Sequence, residues 1–421
     1  MTVSKSRFTL TILMLFTLCL PTTAQASNIL SIDWKYKSTG RIRSAPAIAA
    51  DGTIYINNGY DSEDAQLIAL NSDGTEKWIC TVEEGSDGGF QSPITIGPSG
   101  DIYFNNSGSK LYDVQNDGTK RWAQYVSSYP QGSPIIGTNE TIYLVQDASM
   151  ANGNKGFIYA RNSDGSSKWS TMIDEMITSG ITEGEDGTIY FGSSTKLNAY
   201  NPDGTLKWEF STEIPIQMAP AIGDDGTLYF GTYKYDVKNT FYAVNADGTE
   251  KWHVDTNDGP FTAQPAIGED GTIYAPGRYL YAFSSVGETK WKFAVYSGET
   301  GRAWAQAYGS PAIGDNGNIY LAVLNNILFV LNSDGEKIDM LLLEGDSGIG
   351  NTAPRMSSDG TLYISSEDSY LYAIKTNSTG PANSPWPMQG RNAMNSSNYW
   401  KSSSSSTETL SMSAIQLLLI N

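Results

Sequence analysis

An all-β fold assembled from repeats is what the sequence predicts, and three observations lead there. The chain has 421 residues, with 42 Gly, 25 Tyr and 10 Trp; aromatics beside so much glycine favour strands and turns over helices. Two short motifs recur in a fixed order along most of its length. Between alternating apolar residues, both motifs carry Asp-Gly, the composition of a tight hairpin turn. Length alone suggests roughly two to four ordinary domains, and repetition replaces that expectation with one closed domain.

Taken in order, the chain opens on Lys5 and Arg7, the apolar stretch Phe8 to Leu20, then Pro21 and Ala24-Gln25-Ala26. That is the order of a secretory signal peptide, residues 1–26, cleaved after Ala26. The alternative is a retained anchor, although the apolar run is short for a bilayer span. Cys19 lies in this run behind Leu18, a residue too bulky for the usual lipoprotein processing site, so no lipid anchor is expected. Without residues 1–26 only Cys80 remains, and no intrachain disulfide can form. The expected location is secreted or periplasmic.

The first motif reads small-Pro-x-Ile, a turn with Asp-Gly, then an apolar residue and Tyr. Its eight copies end at Tyr55, Tyr103, Tyr143, Tyr190, Tyr229, Tyr274, Tyr320 and Tyr363, with Gly180 standing where the fourth copy should have its proline. The spacing is roughly 44 residues, the length of one four-stranded propeller blade. A second motif follows each first one: an apolar pair, then Asn-x-Asp-Gly-x-x-Lys-Trp. Trp78, Trp122, Trp169, Trp208, Trp252 and Trp291 close six copies, and Ile338 stands where the seventh Trp is expected. The eighth copy stops at Lys375 without its last strand. That strand is expected at the other end of the chain, in Asp33-Trp34-Lys-Tyr36, where it would close the ring and leave no open edge. The fold expected is therefore an eight-bladed β-propeller of four-stranded antiparallel blades over residues 27–380. A C-terminal extension, 381–400, follows it. Residues 401–421 are a Ser-rich linker and a short apolar tail, read either as a degenerate sorting signal or as a frayed end.

The repeated residues read as scaffold: Asp-Gly for the turns, one Trp per blade to fill the wedge between neighbours, and Tyr alternating with apolar residues. Composition narrows function further. His253 is the only histidine and the net charge is −18. A His-containing zinc cluster, a His-carboxylate iron triad or a Ser-His-Asp machine has too few histidines. An acidic surface of this size repels nucleic acid and anionic lipid.

Blocks such as Asn71-Ser-Asp73-Gly74-Thr-Glu-Lys77-Trp78 and Ala219-Pro220-Ala-Ile222-Gly-Asp-Asp225-Gly226-Thr-Leu-Tyr229-Phe resemble the pyrroloquinoline quinone (PQQ)-like β-propeller repeats, and the resemblance spans residues 31–375. Pro385-Trp386-Pro387-Met388-Gln389-Gly390-Arg391-Asn392 resembles a short signature at the edge of such exported propellers. The resemblance implies one of two things. Quinoprotein dehydrogenases of the family bind PQQ over a central Ca²⁺ and oxidise alcohols or sugars. Other members are not enzymes, among them the outer-membrane barrel-assembly scaffold lipoprotein. This chain has no adjacent cysteines, and no position matches the family's catalytic Asp or Ca²⁺ ligands, so neither PQQ nor Ca²⁺ is expected. Acidic turns such as Gly223-Asp224-Asp225-Gly226 lack the ligand count of a dedicated Ca²⁺ loop.

Topology indicates where a site should lie. In each blade the two Asp-Gly turns share one face, and the variable connections share the other: Asn57 to Gln66, Gln146 to Lys155, Tyr233 to Asn239 and Tyr296 to Tyr308. Binding function concentrates on variable loops held by a rigid scaffold. Residues just ahead of the inner strands should ring the channel mouth on that face: Arg43, Gln91, Gln131, Gln217, Gln264, Tyr308 and Asn351, with Arg302 and Trp304 in the longest connection. Such amides and aromatics can bind a carbohydrate, a peptide or a small polar molecule, or can simply satisfy inner-strand backbone and channel water. The expectation is a monomeric, non-enzymatic binding or scaffold module for a protein or carbohydrate partner, with no stable membrane insertion. A PQQ- and Ca²⁺-dependent dehydrogenase and an envelope-assembly scaffold are the alternatives.

Overall fold

A computed structural model of the chain describes residues 29–58, 64–84, 92–106, 110–126, 132–147, 155–295, 307–324, 326–344, 349 and 352–397. Their strands form eight four-stranded antiparallel sheets. Blade one is representative: Ala47–Ile48, Ile54–Asn58, Asp64–Leu70 and Glu76–Glu84 run in chain order from the axis outward. Blade eight is built from both ends of the ring, as the sequence predicts. Arg355–Met356, Leu362–Ser365 and Tyr370–Lys375 are joined on the outside by Ser31–Lys37, in a register that sets Trp34 opposite Ala373.

Seven of the inner strands have two residues, and in six of these a proline stands immediately ahead, where a missing N–H ends ladder pairing. Blade four has Gly180 there instead, and its inner strand runs from Ile177 to Glu183, with a bulge against Phe191 to Ser193.

The two sequence motifs meet at the outer rim. In seven blades the Tyr and Trp rings of the same sheet pack with centroids 5.7 to 6.3 Å apart. The indole N–H of each Trp then crosses to the next blade and donates to a carbonyl of its outer turn, at 2.8 to 3.1 Å. The glycine of that turn is needed twice over. Gly248, for example, has φ +87°, and a Cβ there would stand 2.7 Å from the Trp208 ring. The motif lysine ties the outer strand to the inner turn of its own blade, as Lys251 does to Asp225 at 2.7 Å and Thr227 at 2.9 Å.

One seam differs, and the sequence expectation for it needs correction. Asp339, and not Ile338, stands opposite Val330 as Trp291 stands opposite Ala282; the motif lysine, Lys337, comes one residue early, and Ile338 is exposed. The reason is topological. The neighbouring blade takes its outer strand from the N-terminal end of the chain, so it offers no outer turn to an indole. The Asp339 carboxylate instead accepts the Leu30 N–H at 3.0 Å, holding the start of the closing strand.

Beyond the last sheet the chain turns into the ring. It passes the turn face, where Asp315 N–H donates to the Gly380 carbonyl, and then fills the channel with residues 381–397. In a propeller the inner strands present their backbone edge to the axis, and here that edge is capped. N–H groups of Ile48, Ile96, Glu183, Ile267 and Ile313 donate to carbonyls of Ala393, Met394, Ser397, Trp386 and Pro387 at 2.7 to 3.1 Å. The side chains insert between blades: Trp386 and Met388 are fully buried, and Ala382, Ala393 and Met394 join three further clusters of the core. Burying a side chain of this size contributes about 1.5–3 kcal/mol. The segment resembling an edge signature is thus an axial plug.

Candidate functional site

The plug bonds to the ends of the inner strands nearest the Asp-Gly turns, so it closes that end of the channel. The loop-face end stays open as a cup of about 220 Å³. Its wall comes from the segments that lead into the inner strands of blades two to seven, and its floor from Gln389, Asn395 and Ser397 of the plug. The room exists because small residues meet there. Gly132 has φ +74°, and a Cβ on it would lie 2.9 Å from the Cα of Gly180, the glycine that replaces a proline in blade four.

Of the residues expected at the mouth, Gln217, Gln264 and Tyr308 line this one cup. Gln264 is committed to structure: its Nε2 donates to the Pro220 carbonyl and its Oε1 accepts the Gly390 N–H, both at 2.9 Å. That is the backbone-satisfying role the sequence left open. Gln217 is exposed. The Tyr308 hydroxyl lies 3.2 Å from that of Tyr235, which lies 3.0 Å from that of Tyr233; burial and the bond with Tyr235 push Tyr308 up to about 12. Arg43 does not line the cup, and its Nε is 3.7 Å from Glu367 Oε1. Gln91, Gln131, Arg302, Trp304 and Asn351 lie outside the described residues.

Among the contributors that escaped sequence reasoning are Ser133, Gln389 and Asn395. They are organised by Arg355, which is fully buried in the inner strand of blade eight. Its guanidinium donates to the Gln389 carbonyl and, at 2.6 Å, to Asn395 Oδ1. Asn395 Nδ2 in turn reaches the Ile94 carbonyl and Ser133 Oγ, each at 3.1 Å. Burial lowers Arg355 to about 9. A signal was present in the sequence, because the equivalent position holds Ala, Thr or Ile in the other seven blades.

Glu183 is a second departure from the repeat, standing where the other blades have Ile or Met. It is buried beneath the cup, accepts the Thr138 N–H at 3.1 and 3.2 Å, and is pushed up to about 7 by burial.

The described lining of the cup includes no Asp, Glu, Lys, Arg, His or Cys, so it offers no acid-base pair and no nucleophile of those types. PQQ, a tricarboxylate, does not fit these residues. Among the described lining residues no cation faces its carboxylates and no carboxylate is present to ligate Ca²⁺, and the plug occupies the axis. The acidic turn is equally unsuited to Ca²⁺: burial would raise Asp225, but bonds from Lys251 and Thr227 outweigh it and hold the carboxyl at about 2.

The geometry has relatives. The family model described as outer membrane protein assembly factor BamB matches residues 31–163 and 154–380. No curated protein matches the sequence. Among solved structures, BamB from Moraxella catarrhalis is 15% identical, with a TM-score of 0.62 over 83% of this chain and 98% of that one. The Dos1 propeller is 10% identical, with a TM-score of 0.61 over 82% and 96% of the two chains. A europium-containing methanol dehydrogenase has the same identity and TM-score over 82% and 93%. At these identities the structures share a fold, whereas the family model spans the whole ring: the chain belongs to the PQQ-like β-propeller family whose model carries the BamB description.

Proposed function

We propose that the protein is an exported, non-enzymatic binding module that engages a protein or glycan partner through its loop face. One observation carries the reading: the channel is sealed from the turn face by the chain's own plug, and the remaining cup presents neutral hydrogen-bonding groups on a rigid ring. A preorganised, uncharged recess suits recognition of a neutral group, and its described lining has no Asp, Glu, Lys, Arg, His or Cys to serve proton or group transfer. Reconstitution with PQQ and Ca²⁺, followed by dye-linked alcohol and sugar oxidation, tests it. Neither stoichiometric quinone binding nor turnover is expected, and both together would replace this reading with that of a small dehydrogenase.

The family match favours a second, narrower reading, a scaffold for envelope assembly. Crosslinking in the intact envelope should then recover a barrel-assembly component, and recovery of none would remove it.

A further inference from the structure

We infer that the cup is a subsite for one neutral saccharide unit, the end of a glycan chain. The inference rests on the binding-module reading and names the group that the module takes.

Charge comes first. The described lining has no ionised side chain, and the one cation behind the floor, Arg355, is buried with its guanidinium bonded to Gln389 and Asn395, so a carboxylate, phosphate or ammonium entering the cup would lose water without pairing directly with a counter-charge. The net charge of −18 disfavours anionic ligands further. Hydrogen-bonding capacity comes second. Among the described residues, the carboxamides of Gln217 on the wall and Gln389 on the floor have no hydrogen-bond partner. The Ser133 hydroxyl accepts from Asn395 and keeps its own proton to donate. A carboxamide offers a donor and an acceptor side by side, which matches two adjacent sugar hydroxyls.

Shape and rim complete the argument. At about 220 Å³ the cup is smaller than a drug-sized site of roughly 300–1,000 Å³, and Gln389, Asn395 and Ser397 of the plug close its floor. A recess with a closed floor admits the end of a chain and not its middle. A peptide would have to enter by a charged terminus or a single side chain, whereas a terminal sugar is a neutral ring. At the rim, Tyr308 continues into Tyr235 and Tyr233, with the last two rings 5.5 Å apart and nearly perpendicular and Tyr235 46% exposed. Amphipathic rings of this kind offer an apolar face to sugar C–H groups and a hydroxyl to the next unit.

Calorimetry on the full chain with glucose, galactose, mannose, N-acetylglucosamine and their disaccharides, and with glucuronate as the anionic control, tests the assignment. Saturable binding of at least one neutral sugar is expected, with none for glucuronate. Gly180→Leu should weaken that binding about tenfold or more, because a Cβ there meets only Ala219 Cβ and Gly132 Cα at 3.8 Å and the remaining atoms occupy the cup; its unfolding transition should match that of the parent. Gln217→Ala should weaken it by about fivefold. No neutral sugar binding, a preference for glucuronate, or binding indifferent to Gly180→Leu would each overturn the assignment. If no sugar binds but crosslinking still captures a protein partner through the loop face, the assignment fails and the binding-module reading stands. If neither is captured, both fail.

Discussion

At the outer rim, seven seams between blades are closed by the same three groups: a Trp indole, the carbonyl it bonds and the turn glycine beneath its ring. At the inner rim the blades differ. Arg355 reaches from blade eight into the plug, Glu183 reaches from blade four to Thr138 of blade three, and Gln264 joins blades five and six to Gly390. The outer rim solves one packing problem seven times, so its residues repeat. The inner rim receives a single non-repeating segment, so each blade must meet a different stretch of it. Departures from the repeat therefore mark the places where the ring serves something other than its own closure.

Two truncations bear on this contrast most strongly. Deleting residues 29–40 removes the closing strand and Trp34, opens the edge of Tyr370–Lys375 and should abolish the single cooperative melt at the outer rim. Ending the chain at Gly380 removes the plug and strands five inner-strand N–H groups beside Arg355, and should lower stability by about 5 kcal/mol in urea titration. If the second deletion leaves the midpoint unchanged, the inner rim is indifferent to its plug. Single seams come next. Trp252→Ala should lose about 3–5 kcal/mol, whereas Asp339→Ala at the one seam without an indole should lose about 1–2 kcal/mol. Equal losses would mean that the carboxylate closes its seam as firmly as an indole does.

The last effect depends on pH and vanishes in acid. Glu183 titrates at about 7 in the folded protein against 4.5 ordinarily, so the folded state keeps a proton that the unfolded chain has released. Its contribution to stability therefore falls as pH rises from about 4 to about 7 and is level above that. Glu183→Gln keeps an acceptor for Thr138 and carries no charge; it should gain up to about 3 kcal/mol over the parent at pH 8 and nothing at pH 4. Asp113, buried beside Arg121 and pushed up to about 6 by burial, adds a slope of the same sign to both proteins, which the comparison removes. Identical profiles for parent and variant would show that Glu183 is not the group involved.

Much of the scaffold was legible in the residues. Alternation, Asp-Gly and the Tyr and Trp series are local and periodic, and the missing Trp of the last repeat pointed to the strand at the other end of the chain. Reading went wrong at Asp339 because a motif was counted by its lysine, and only strand register shows that the lysine comes one residue early. At the site, Gln217, Gln264 and Tyr308 were found because position in the repeat places them at the mouth. Arg355 was visible as a charge among Ala, Thr and Ile but carried no mark of its partners.

By itself, then, the sequence determined the number of blades, the way the ring closes and the residues that hold it, since these follow from contacts within a blade or between one repeat and the next. Only the tertiary structure decided that the channel is plugged and that a cup remains on one face. Gln264 meets Gly390 across 126 residues and Asn395 meets Ile94 across 301. Inner strands of one backbone geometry present the same N–H edge to the axis in every blade. Nothing in a repeat records which of those edges a distant, unrepeated segment will cap until the closed ring brings them around it.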